Sequence, residues 1–296
     1  MNKKTLIIVI LAAVCFTAMF PCTGNSAEVQ YPMTVSQVNK VFLDLEAKYP
    51  SLIEHDVIWN FSTGSKPLYI FKIGNLDGKK VMFDGACHGN EISATGVLIE
   101  YAKWLLTSGD MTAKYILSVD LTIIIPVVNV DGYPYSRKNA NGVDLNRNFA
   151  WNWNASASTG GGVSDNPNSS FYRGLYPASE KETRNYVTVF AKYRPSQYMN
   201  CHSLGSYQMW YTPKIAGSVL TQEKEIYLKY RAFSVTMNQS YAGIYSDGGT
   251  GNYPGCAYWT YGIKSWSGEI TSRTVPYSEL PLTKWLQWFV TLSLSA

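Results

Sequence analysis

Eight residues near the middle of the chain, Leu121-Thr122-Ile123-Ile124-Ile125-Pro126-Val127-Val128, are almost wholly apolar and mostly β-branched. As a strand such a run shows no alternation of apolar and polar positions, so it needs cover on both faces. That requirement points to a sheet flanked by helices. Suitable segments surround it. Thr34 is placed to cap a helix running to Tyr49, with Val38, Phe42, Leu45 and Ala47 turned inward and Pro50 as a stop. Residues 68–73 and 81–87 read as strands about the turn Asn75-Leu76-Asp77-Gly78. Helical spacing runs from Glu91 to Leu106, and another helix opens at Pro177-Ala178-Ser179-Glu180 and reaches about Lys192. Residues 197–201, 207–211 and 263–270 look like strands, and residues 220–238 and 285–294 look like helices. The order predicts one α/β domain with a mixed, mostly parallel sheet and helices on both faces. Residues 151–170, rich in Gly, Ser and Asn, form a loop long enough to suggest a functional role.

The start of the chain reads differently. Lys3 and Lys4 precede an apolar stretch from Leu6 to Phe20, followed by Pro21 and the small residues Thr23-Gly24-Asn25-Ser26-Ala27. This is the order of a secretory signal peptide over residues 1–27, and the stretch is shorter than the roughly 20 residues that span a bilayer. The expected product is a catalytic domain of residues 28–296, secreted or periplasmic and without a stable membrane anchor. Removing two lysines leaves 23 basic against 21 acidic residues, a net +2 with no basic cluster, which argues against nucleic acid as a partner. Cys87, Cys201 and Cys256 remain of five cysteines, too few and too odd in number for a disulfide framework. The fold must therefore rest on its own core.

Three histidines occur: His55, His88 and His202. His88 and Glu91 sit in Cys87-His88-Gly89-Asn90-Glu91, between an expected strand and an expected helix. An imidazole and a carboxylate across such a turn can share a divalent ion, and a third ligand would leave one position open for water. His202 ends another expected strand. His55, between Glu54 and Asp56, reads as a surface residue. Arg137 and Arg147 lie beyond the apolar run among Asn and Gly, a setting in which guanidinium groups can grip a carboxylate.

These pieces resemble the zinc carboxypeptidase family. His88-x-x-Glu91, Arg137-Lys138-Asn139, the octet Gly142-Val143-Asp144-Leu145-Asn146-Arg147-Asn148-Phe149, Tyr172-Arg173-Gly174, His202-Ser203 and a late Glu269 occur in the family's order, from about Tyr31 to the C-terminus. The resemblance implies one zinc ion held by His88, Glu91 and His202, with Asp144 orienting a zinc histidine. It implies that Arg137 stabilises the oxyanion and that Asn146 and Arg147 hold the free α-carboxylate of the substrate. Glu269 would be the general base and then the acid, and Tyr245 the mobile tyrosine closing over the substrate. The partners implied are peptide or protein C-termini. Peptidoglycan stem peptides are a second substrate class, and a zinc-stabilised, inactive peptide-binding protein a third reading, which an intact Glu269 opposes.

Departures from the family pattern also matter. Asn90 stands where digestive relatives have arginine, Leu204 where an aromatic residue is common, and Tyr258-Trp259 has lost its acidic neighbour. Residues 248–268 contain no acid, so Tyr253, Cys256, Ala257, Tyr258 and Trp259 are expected to offer an apolar pocket, with Asp247 the nearest acid. Strand alternation places Cys87 and Cys201 on the faces opposite their histidine neighbours, as buried structural thiols. The first family-like helix starts at Thr34, so activity is expected once the leader is removed.

Overall fold

The apolar run forms a strand in which every residue from Asp120 to Ile125 is buried. It ends before Pro126, which lacks a donor for the ladder. In the computed structural model, which describes residues 32–154, 162–203, 208–211, 251–270, 280 and 282–295, it belongs to a seven-stranded sheet. The strands are β1 (Ile53–Ile58), β2 (Leu68–Gly74), β3 (Lys79–Gly85), β4 (Asp120–Ile125), β5 (Gln197–His202), β6 (Gln208–Tyr211) and β7 (Lys264–Glu269), in the spatial order β1-β2-β4-β3-β5-β7-β6. The central strands β4, β3, β5 and β7 are parallel, and the edges, β1 with β2 on one side and β6 on the other, are antiparallel. The expected signal peptide, the expected helix at 220–238 and Tyr245 lie outside the described residues.

The helices are α1 (Val35–Lys48), α2 (Ile92–Thr107), α3 (Met111–Val119), α4 (Lys181–Tyr193), α5 (Tyr253–Tyr261) and α6 (Leu282–Ser295). Thr34 opens α1 with a capping box: its hydroxyl accepts from the Gln37 backbone at 3.2 Å, while the Gln37 side chain accepts from the Thr34 backbone at 2.8 Å. Val38 and Phe42 are buried as expected, but Ala47 is exposed. At about 100° per residue, nine positions beyond Val38 bring it to the opposite side.

Parity along the strands divides the helices between two faces. Phe83 of β3 is in register with Met199 of β5, and it packs on Tyr101 of α2 and Phe289 of α6 at ring separations of 5.5 and 4.7 Å. Tyr198, of the other parity, packs on Phe190 of α4 at 5.1 Å. The expected helices on both faces are therefore present. No helix among the described residues is long and apolar enough to cross a membrane.

One ionic cluster ties the edge of the sheet to α4. Asp56 of β1 accepts from Lys192 at 2.7 Å and Lys72 at 3.3 Å, and also from the Tyr193 hydroxyl. Partial burial works to raise its carboxyl, but Lys192, Tyr193 and Lys72 prevail and hold it at about 2. A depressed value in the folded chain means stabilisation that is present above the unfolded carboxyl's ~3.9 and lost as the pH falls toward 2. Asp56→Asn is expected to cost about 1 kcal/mol at neutral pH, allowing for solvent screening, and almost nothing near pH 2. Denaturant titrations at the two pH values check this.

Candidate metal centre and active site

The C-terminal ends of parallel β3, β5 and β7 lie side by side, where open α/β sheets place their ligands. His88 follows β3 by three residues, Glu91 is the N-cap residue of α2, His202 ends β5, and Glu269 ends β7 in register with His202. All four are buried. Gly89, between the first two, is pressed against another loop. A Cβ there would lie 2.6 Å from backbone atoms of Gly132 and Tyr133, so no larger residue fits the turn.

The Glu91 carboxylate bridges the two imidazoles, with Oε1 2.8 Å from His88 Nδ1 and Oε2 2.9 Å from His202 Nδ1. The outer nitrogens are engaged as well. His88 Nε2 lies 3.1 Å from Asp144 Oδ1, and His202 Nε2 lies 2.5 Å from Asn200 Oδ1. Both outer partners are acceptors, so the Nε2 positions carry the protons and each Nδ1 turns a lone pair toward a carboxylate oxygen. Facing lone pairs need a cation or a proton between them. Two imidazole nitrogens and one carboxylate are a zinc donor set, and the residues fit that ion. Burial alone would raise the Glu91 carboxyl, but a positive charge shared with His88 and His202 across those two contacts holds it well below the usual range. Asp144 is likewise kept low, against its burial, by His88, Arg147 and Arg137.

The cysteine expectation is corrected in part. Cys201 is buried on the face of β5 opposite its histidine neighbour, as strand parity requires. Cys87 does not point away from the site. Its Sγ lies 3.8 Å from both ring nitrogens of His202, and Cys87, His88 and His202 place ligand atoms within 4.8 Å of one another. Alternation fails there because β3 stops at Gly85 and Ala86 takes a left-handed φ of 52°. Burial first, then Glu91, Asp84 and Asp144, push the Cys87 thiol up, so it stays protonated while Glu91 is ionised.

Arg137 reaches the same cluster. It donates to Asp144 Oδ2 from Nη2 at 2.8 Å and from Nε at 3.2 Å, and its Nη1 comes within 3.5 Å of Glu91 Oε1. Asn146 and Arg147 lie on a short 3-10 turn, Leu145–Arg147, capped by Asp144. Asn146 Nδ2 is 3.4 Å from His202 Nε2, and its Oδ1 accepts from the Tyr253 backbone at 3.1 Å. Arg147 donates to the carbonyls of Asn146 and Gly162 at 2.7 and 3.0 Å. Both guanidiniums lie over the Phe171 ring, at 5.3 Å for Arg137 and 5.7 Å for Arg147. The described part of the long loop thus borders the site.

His55 is set apart, as expected, paired with Glu46 at 2.6 Å. Of the residues expected to line an apolar pocket, Tyr253, Cys256 and Ala257 are packed into the core, while Tyr258 and Trp259 stay partly exposed. Trp259 stacks on Trp151 at 5.9 Å. Two residues that the sequence reading missed are Asp84 and Asn200, both fully buried beneath His202. The signal was present: Asn200 is two positions before His202 and shares its face, and Asp84 interrupts an apolar strand.

Comparisons with known proteins agree with this geometry. The family pattern described as zinc carboxypeptidase matches residues 38–279. Mast cell carboxypeptidase A of Rattus norvegicus is 33% identical over 168 residues, covering 49% of this chain and 38% of that protein. Carboxypeptidase B of Astacus astacus is 28% identical over 198 residues, 60% of this chain and 62% of its own. The matched region thus spans less than two thirds of either relative. Among solved structures, carboxypeptidase A from Helicoverpa armigera superposes with a TM-score of 0.75 at 19% identity, over 99% of this chain and 81% of that one. Bovine thrombin-activatable fibrinolysis inhibitor, bound to tick carboxypeptidase inhibitor, gives 0.74 at 21% identity, over 89% and 96%. At these identities the superpositions speak to the fold.

Proposed function

This chain belongs to the zinc carboxypeptidase family, and from that premise we propose that it is a peptide hydrolase removing the C-terminal residue of peptides or proteins. The observation that carries the proposal is the convergence of His88, Glu91 and His202 beside the Arg137 guanidinium, with Glu269 in register at the next strand end. His88, Glu91 and His202 would hold the zinc, which when bound lowers the pKa of water and polarises a carbonyl. Asp144 fixes the His88 imidazole in the tautomer that leaves Nδ1 free to ligate. Glu269 accepts the proton of the attacking water at its carboxylate and passes it to the departing amine. Arg137 donates to the carbonyl oxygen as negative charge builds there. Asn146 and Arg147 take the α-carboxylate one residue beyond, and this restricts cleavage to the chain end.

The test uses matched peptides ending in a free acid or an amide. Mass spectrometry should show loss of one C-terminal residue from the acid and none from the amide. Internal cleavage, or equal turnover of both, would contradict the proposal. Arg147→Ala should raise KM for the free acid by roughly 10- to 100-fold with a smaller change in kcat, as expected for a lost charge-assisted contact. Steady-state kinetics on the same peptide checks it.

The lysines, apolar stretch and small residues of segment 1–27 support export of the protein. N-terminal sequencing of the exported chain would find the cut near Ala27.

A further inference from the structure

We propose that Asn200 and Asp84 form a buried relay that selects which nitrogen of His202 meets the metal, which makes Asn200 a positioning residue of the centre. The inference rests on His202 being a zinc ligand. Asp84 of β3 and Asn200 of β5 are register partners on adjacent parallel strands, and both are fully buried. The Asn200 amide donates to Asp84 Oδ1 at 2.6 Å. The other carboxylate oxygen accepts from the Tyr198 hydroxyl at 2.6 Å and from the Tyr186 hydroxyl.

As an ionised carboxylate Asp84 can only accept, and donors meet both of its oxygens. The NH2 of Asn200 must therefore face Asp84, and its carbonyl oxygen must face His202, where it lies 2.5 Å from Nε2. An acceptor at that distance places the imidazole proton on Nε2 and leaves Nδ1 as the ligating atom. The Asn146 amide aims a donor at the same nitrogen and by itself would favour the other tautomer, but at 3.4 Å it is a far longer contact than the Asn200 oxygen at 2.5 Å, which prevails. His88 is oriented by a carboxylate directly, through Asp144. His202 receives the same service from a neutral amide locked by a carboxylate one strand away. Groups that orient a metal-bound histidine typically change metal affinity by about 10- to 100-fold when lost.

The experiment compares the full chain with Asn200→Leu and Cys201→Ala, measuring zinc affinity by competition with a chelator. Asn200→Leu should bind zinc about 10- to 100-fold more weakly. Cys201→Ala removes a buried side chain from the same strand on the opposite face, so it should lower stability and leave zinc affinity unchanged. Nitrogen-15 NMR of the zinc-loaded wild-type chain gives an independent reading, with only His55, His88 and His202 to assign. His202 should show zinc on Nδ1 and a slowly exchanging proton on Nε2. This measurement decides the matter even if Asn200→Leu fails to fold. Wild-type zinc affinity in a folded Asn200→Leu, or a His202 metallated at Nε2, would overturn the relay. A wild-type chain whose His202 signals ignore zinc would overturn the metal centre itself.

Discussion

Replacing His202 with alanine is expected to remove both the metal and the activity while leaving a folded protein. The apolar core that packs both faces of the sheet does not depend on this side chain, so the variant should still melt cooperatively. The metal is a different matter. If zinc binds with a free energy on the order of 10–16 kcal/mol, each of three ligands carries several kcal/mol. Loss of one then weakens binding by ~1,000-fold or more. Metal analysis after dialysis against a weak chelator reads this directly. The companion variant is Cys87→Ala, because Cys87 shares the cluster with His88 and His202. It should keep its zinc, since Glu91 is the ionised donor facing both imidazoles. Loss of metal from Cys87→Ala with retention in Glu91→Gln would reassign the third ligand to sulfur.

Glu269→Gln should give the opposite pattern: zinc retained, substrate bound, and kcat lower by about 100- to 10,000-fold. The change is nearly isosteric and removes only the ability to take up and deliver a proton. Glu269 ends β7 directly beside His202, close enough in the fold to serve the same substrate atoms and separate from the donor set. A group used in the transition state and not in ground-state binding lowers kcat and kcat/KM together, with KM little changed. Near-native turnover in Glu269→Gln would require the proton to travel through another residue.

The architecture was legible where one physical rule dominates. The two-sided burial of Leu121 to Ile125 announced a central strand, and Thr34 announced the start of α1. Motifs drew attention to His88, Glu91, Arg137, Asn146, Arg147 and His202, and the fold brings His88, Glu91, Arg137, Asn146 and His202 within hydrogen-bonding reach of one another. Rules that depend on tertiary context were harder to apply. β1 carries Glu54, His55 and Asp56 and is mostly half-buried, so it lacks a strand's alternation, and α3 is only nine residues long. Cys87 was misplaced because strand alternation was carried past the end of β3, where Ala86 turns the chain. Asp84 and Asn200 acquire their meaning only when β3 and β5 pair, a contact between residues more than a hundred positions apart. Tyr253, Cys256 and Ala257 look like pocket residues in sequence and become core once α5 packs on β5 and β7.

The most direct test is a titration of the metal-free full chain with zinc while C-terminal release from a free-acid peptide is followed. The account predicts no turnover without metal, a linear rise on addition, and a break at one equivalent of zinc per chain. Full activity in the metal-free protein, or activity indifferent to added zinc, would contradict it.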